Sequence, residues 1–233
     1  MRIGLGAVAV LAACSPFLVA ATDSGPRGRS LEAQVLERIN QARQNPRDYA
    51  DELREYRRYF EGDIVYLPDA PDGVYTREGV AAVDEAIDFL ERQAPLPPLD
   101  RGDLLAMAAQ DHADDQGAAG ASGHRSGDGA GPGERVRRRG GGVFVGESIS
   151  YGMADADAVV RQLIVDDGVP GRGHRTLLFK GDFRFAGVGC GGHRRYGAMC
   201  VVDLAATADG RPSPARWVDS TPPRNAPVRA RAR

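Results

Sequence analysis

Arg172-Gly173-His174-Arg175-Thr176-Leu177-Leu178-Phe179, followed by Phe183-Arg184-Phe185-Ala186-Gly187-Val188-Gly189-Cys190, is the stretch on which the fold turns. A polar turn carries one histidine. A short apolar run follows, and residues 183–190 read as a β-strand that ends in glycine and cysteine. Tyr196 to Ala205 reads as a second strand, so the Gly-rich segment between them is a hairpin turn. Cys190 and Cys200 flank that turn and could face each other across it. An oxidising compartment would allow a disulfide there; the alternative is two buried free thiols on neighbouring strands.

Working outward, Val143 to Ser150 reads as a strand, and Ala154 to Asp167 as a helix with Val159, Val160, Leu163 and Ile164 inward. Leu99 to Gly117 is helical. Asp100 can cap it, and Leu104, Leu105, Ala108, Ala109 and His112 form its buried stripe. Val80 to Leu90 and Leu31 to Arg43 are amphipathic helices, with Ser30 as an N-cap for the latter. Pro46 opens a further helix that runs to about Tyr59. Residues 60–80 read as a loop, Gly117 to Gly133 as a glycine-rich loop, and Glu134 to Arg139 as a short basic helix. Helices come first, and strands then alternate with short helices. That order argues for an α+β or three-layer arrangement rather than a βαβ repeat.

The 233 residues carry a net charge of −2, which gives no reason to expect a nucleic-acid or anionic-membrane partner. The N-terminus reads as a signal peptide over residues 1–21: Met1-Arg2, an apolar run, then small residues. The alternative is a membrane anchor, since Ile3 to Thr22 is about the ~20 residues that cross a bilayer. Ser15-Pro16 and the small-residue end favour cleavage, leaving no stable span in the mature chain. Leu11-Ala12-Ala13-Cys14 also resembles a lipobox, so secretion or periplasmic export has a rival in a lipoprotein anchored through Cys14. Residues 22–30 read as a linker. From about residue 206 to 233, Pro and Arg dominate and the tail reads as disordered.

Four chemistry-bearing residues fall at element ends: His124 in a loop, Glu147 on a strand, Asp166 at a helix end and His174 in a turn. Two imidazoles with carboxylates suit a divalent metal, zinc first, or an acid–base set. The plainer reading is a hydrogen-bonded network that fixes loops. Glu147 is the one charge within Val143 to Ile149, which points to pairing inside rather than exposure. His112 reads as a core histidine and His193 as exposed. Ser126 and Ser148 are candidate nucleophiles that no elbow or triad order supports.

The chain resembles the CAP superfamily, the cysteine-rich secretory, antigen 5 and pathogenesis-related 1 proteins (SCP-like extracellular domains), in its bacterial branch. The resemblance covers about Leu31 to Ala205. It rests on Ala109-Gln110-Asp111-His112-Ala113-Asp114-Asp115, Gly123-His124-Arg125-Ser126-Gly127-Asp128-Gly129, Gly146-Glu147-Ser148-Ile149, Gly173-His174-Arg175 and Phe185 to Cys190. It implies a three-layer α-β-α sandwich around a central, mainly antiparallel sheet. It also implies a cleft lined by His124, Glu147, His174 and a second acid. Asp166 stands in that acid's place, with Leu163 where many members have tryptophan, and Asp167 is its rival. Ser148 replaces the asparagine of the family's Gly-Glu-Asn motif. Residues 60–98 form a loop-helix insertion longer than the family's usual link, able to shape or cover the cleft.

Two functions are set beside a third, a structural surface protein in which the four residues form a buried network. One is a secreted, non-enzymatic module that binds a ligand, a lipid or sterol among the candidates, or a partner, with a divalent metal optionally held by His124 and His174. The other is a metal-dependent hydrolase in which Glu147 is the general base and His174 a ligand.

Overall fold

The computed structural model describes residues 29–68 and 70–213. The signal-peptide and lipobox readings and most of the C-terminal tail therefore lie outside the described residues. The order of elements is α1 (Leu31–Gln44), α2 (Pro46–Arg57), β1 (Phe60–Glu61), β2 (Ile64–Leu67), β3 (Ala70–Tyr75), α3 (Val80–Arg92), β4 (Asp100–Arg101), α4 (Asp103–Ala119), α5 (Pro132–Arg138), β5 (Gly146–Tyr151), α6 (Ala156–Val165), α7 (Gly173–Leu178), β6 (Phe185–His193) and β7 (Gly197–Ala205).

The long hairpin β6–β7 is the spine. Its strands pair antiparallel from Phe185 opposite Ala205 to His193 opposite Gly197. β5 joins β7 antiparallel, and the two-residue β4 joins β6 parallel, so the sheet runs β4-β6-β7-β5. Cys190 and Cys200 are cross-strand partners and are joined by a disulfide.

Alternation along β6 and β7 divides the core between two helical layers. Ala186, Val188, Cys190, Cys200, Val202 and Leu204 face the side covered by α1 and α6, with α2 and α3 beyond them, and join the main hydrophobic cluster. Met199 and Val201 face the opposite side and pack on Ala109 and Ala113 of α4. The intervening residues of β6 on that side are Gly187 and Gly189. A Cβ on Gly187 would sit 2.0 Å from the Ala106 nitrogen, and one on Gly189 2.3 Å from that of Gln110. The alanine-rich α4 thus rests directly on strand backbone. The glycines that punctuate Phe185 to Cys190 are the seat of a helix.

Several expectations are corrected. Residues 60–75, read as a loop, form a three-stranded antiparallel meander, with Val65 opposite Val74 and Ile64 opposite Tyr75. Its glycines and prolines had masked runs too short to show alternation. Asp100 does not cap α4: it pairs with Phe185 in the sheet, and Gly102 is the N-cap. His193, read as exposed, is buried. Its Nε2–H donates to Ala121 O at 2.7 Å, and its Nδ1 accepts from the Arg195 and Tyr196 amides. Order also continues past Ala205. The Gly142 and Phe144 amides donate to Asp209 O and Gly210 O, fastening the start of the tail to the approach of β5.

Candidate functional site

The glycine-rich loop after α4 is fastened on both sides of His124. Gly123 O accepts from His112 Nε2–H (2.9 Å) and Gln116 Nε2–H (2.7 Å), and Gly123 N–H donates to the Tyr151 hydroxyl (2.9 Å). A carbonyl can only accept, so His112 carries its proton on Nε2 and accepts the Ser126 hydroxyl at Nδ1 (3.0 Å). His112 is buried, and its pKa is lowered, mainly by that burial. It is the core histidine the sequence suggested, and Ser126 is its partner.

Held this way, His124 meets Glu147. Its Nδ1–H donates to Glu147 Oε1 at 2.8 Å. The imidazole is 55% exposed and the carboxylate 1%, so the pair joins solvent to the interior. Hydrogen bonding to Glu147 is the main cause of the raised His124 pKa, with burial acting against it. The other Glu147 oxygen takes an Nη2–H of Arg135, from α5. Arg135 Nη1 also donates to His124 O (3.1 Å), Ala130 O (3.0 Å) and the Ser126 hydroxyl (3.3 Å). One buried guanidinium therefore neutralises Glu147 and ties down the loop that carries His124.

The second pair is built from main chain. α6 ends at Asp166, which adopts a left-handed conformation (φ 58°). That turn aims its carboxylate at the start of α7. Oδ1 accepts His174 Nδ1–H at 2.6 Å; Oδ2 accepts the backbone amides of His174 (2.9 Å) and Arg175 (3.3 Å). Asp167 points elsewhere. Its two oxygens accept the amides of Arg77 and Glu78 at 2.7 and 2.8 Å. Arg172 adds a fork to Glu78 and a bond to Glu85, and Glu78 is thereby pulled down to about 2. The insertion is thus clamped to the loop that precedes His174.

Both pairs lie along the edge strand β5. Glu147 projects on the α4 side, as Ile149 does two residues on. On the other side, the Leu177 side chain of α7 would meet a Cβ on Gly146 at 3.0 Å. The four residues assemble as two imidazole–carboxylate pairs, His124 with Glu147 and His174 with Asp166. Neither Nε2 atom has a protein hydrogen-bond partner among the described residues. No group of three or more His, Cys, Asp or Glu side chains is arranged to hold a metal ion among them. Two surface hollows, of about 240 and 450 Å³, lie along α1, away from both histidines.

Sequence reasoning missed Arg135 and Asp203. Asp203 is fully buried on β7, opposite Glu147, and neither of its oxygens has a partner. Burial first, then the neighbouring Glu147 charge, push its pKa well above the ordinary carboxylate range. The signal was present: Asp203 is a lone charge in an apolar strand, the same criterion that singled out Glu147. Arg135 had no such signal, being one of four arginines in residues 135–139.

Residues 36–204 match the model of the CAP family, described as the cysteine-rich secretory protein family. The chain belongs to that family. Among solved structures, the CAP domain is similar to an extracellular protein containing an SCP domain from Bacillus anthracis str. Ames, at 21% identity and a TM-score of 0.40. That match covers 54% of this chain and spans 37% of the other. It is also similar to an outer surface protein from Borrelia burgdorferi, at 20% identity and a TM-score of 0.39, over 47% of this chain and 77% of that one. No curated protein matches. Among the described residues no helix is long and apolar enough to cross a membrane.

Proposed function

We propose that this CAP domain is a secreted, non-enzymatic binding module that presents His124 Nε2 and His174 Nε2 to a ligand, a lipid or sterol being the first class to test. One observation carries the reading. Each imidazole spends Nδ1 on a buried carboxylate, which fixes the tautomer with an unprotonated Nε2 facing outward. Carboxylate–imidazole pairs of this kind orient metal ligands and raise their basicity. With Glu147 and Asp166 committed to that role, the chain offers a divalent ion two nitrogens. That is fewer than the three or four ligands of catalytic and structural zinc sites. The donor set fits a weak, open site whose remaining positions water or a ligand would fill, and zinc would polarise an oxygen placed there. The hydrolase reading has weaker support: Glu147 is 1% exposed and each of its oxygens already accepts a hydrogen bond, from His124 and from Arg135, which leaves it poorly placed to take a proton from water.

Calorimetric titration of the full chain with zinc tests the site. His124→Ala and His174→Ala should each weaken binding at least tenfold, and Asp166→Asn by about 10–100-fold through loss of ligand orientation. Binding that survives both histidine substitutions unchanged removes this assignment. Mass spectrometry of lipid extracted from the purified protein tests the ligand class. No co-purified lipid and no uptake from vesicles would leave a protein partner as the ligand.

A further inference from the structure

Val143 and Phe144 are neighbours on the approach to β5, and they are 49% and 61% exposed. Apolar residues exposed singly are ordinary on a protein surface. These two stand together, at the end of a seat that the start of the chain's own tail already occupies. Gly140, Gly141 and Gly142 form that seat. The Gly142 and Phe144 amides donate to Asp209 O (2.7 Å) and Gly210 O (2.9 Å), and Arg211 Nη2 donates to Gly140 O (3.0 Å). A Cβ on Gly141 would collide with Asp209 O, and one on Gly142 would sit 2.7 Å from Arg211 Cα. The tail therefore rests on bare backbone, and a side chain on the seat would lift it off. Thr207 secures the bend, its hydroxyl donating to Arg211 O at 2.8 Å.

The described residues end at Ser213. Trp217-Val218 come shortly after; they are the first large apolar residues beyond Arg211, and Trp217 is the single tryptophan of the chain. We propose that Trp217 and Val218 dock on Val143 and Phe144, so that this surface is covered by the chain's own tail. Reach permits it: the stretch from Arg211 to Trp217 can span up to roughly 20 Å, against about 7 Å of chain from Gly142 to Phe144. Area argues against a separate molecule. Two side chains, the aromatic one contributing about 150–250 Å² at most, fall far short of the roughly 1,000 Å² that a stable interface needs. A tether makes up that deficit, because it holds the tail at an effective concentration on the order of millimolar. Indole against a phenyl ring adds an aromatic contact beyond the area it buries. The docking does not depend on what His124 and His174 bind. Its effect is local: it covers an apolar pair and braces the segment that leads into the strand carrying Glu147.

The single tryptophan makes the test direct, since fluorescence of the full chain reads Trp217 alone. Native emission should be blue-shifted from that of the same chain in denaturant and shielded from acrylamide. Emission of a solvated indole from the native chain overturns the docking. Phe144→Ser should move the maximum to the denatured value and raise the acrylamide quenching constant severalfold, with circular dichroism unchanged. A Trp217 still shielded in that variant sits elsewhere, which also overturns the proposal. Gly142→Ala is the second variant. It keeps Phe144 but puts a Cβ under the seated tail, so it should expose Trp217 as Phe144→Ser does. Shielding that survives Gly142→Ala overturns the docking as well. Serial dilution of the wild type should leave its spectrum unchanged; a red shift on dilution makes a second copy the occupant and overturns docking within one chain.

Discussion

The two imidazole–carboxylate pairs look alike in outline and are built from different materials. Glu147 sits inside the sheet and is held by side chains: one imidazole and one guanidinium. Asp166 sits at a helix end and is held mainly by backbone: two amides and one imidazole, at a residue whose left-handed φ sets the direction. The first pair depends on charge balance and the second on chain geometry. The first should therefore respond to charge substitutions and pH, and the second to substitutions that alter local backbone.

Arg135→Met is the hardest test of the first half. It keeps the buried stem and removes the counter-charge of a carboxylate that is 1% exposed. Breaking a buried pair by removing one partner costs roughly 3–5 kcal/mol. Chemical denaturation should show a loss of that size. Arg135→Met combined with Glu147→Gln should recover most of it, because the stranded charge is gone. A double variant as unstable as the single one would mean that Arg135 acts through the loop carbonyls instead.

Asp166→Ala is the matching test of the second half, with a smaller expected effect. It strands the His174 and Arg175 amides and puts alanine at φ 58°. Loss of a charged acceptor costs about 1.5–3 kcal/mol. Asp166→Asn keeps an acceptor for the amides and a residue that tolerates the left-handed region, so it should cost less than half as much. Equal losses for the two, measured by thermal or chemical denaturation, would show that charge rather than backbone geometry governs this pair too.

The same division explains what could be read from the chain. The helices of the core were legible because their apolar residues recur at helical spacing, from Val35 and Ile39 in α1 to Val159, Val160, Leu163 and Ile164 in α6. The hairpin was legible from Phe185 to Cys190, although the reason for its glycines, the close approach of α4, is a tertiary fact. Positions of the four cleft residues followed from motif order. Their supports did not. Arg135 looked like any surface arginine, and Asp166 could not be separated from Asp167, because the choice rests on a backbone turn that neighbouring aspartates share in sequence. The meander was hidden because strands of two to six residues, bent by Gly62 and Gly73, are too short to show a period.

The gentlest probe separates the pairs without breaking either. His124 is raised above its ordinary value of ~6.5 by its bond to Glu147, with Arg135 and burial opposing. An NMR titration should therefore place its midpoint above ~6.5. Glu147→Gln should lower that midpoint, and Arg135→Met should raise it by removing the opposing positive charge. The sign for stability follows: a histidine whose folded pKa is raised stabilises the protein below ~6.5, and that stability fades as pH rises through the folded midpoint. Because the ring is more than half exposed, solvent screens the effect and the shift should be modest. A midpoint indifferent to both substitutions would mean that the pair is a contact without electrostatic consequence. The first half of the comparison would then rest on Arg135 alone.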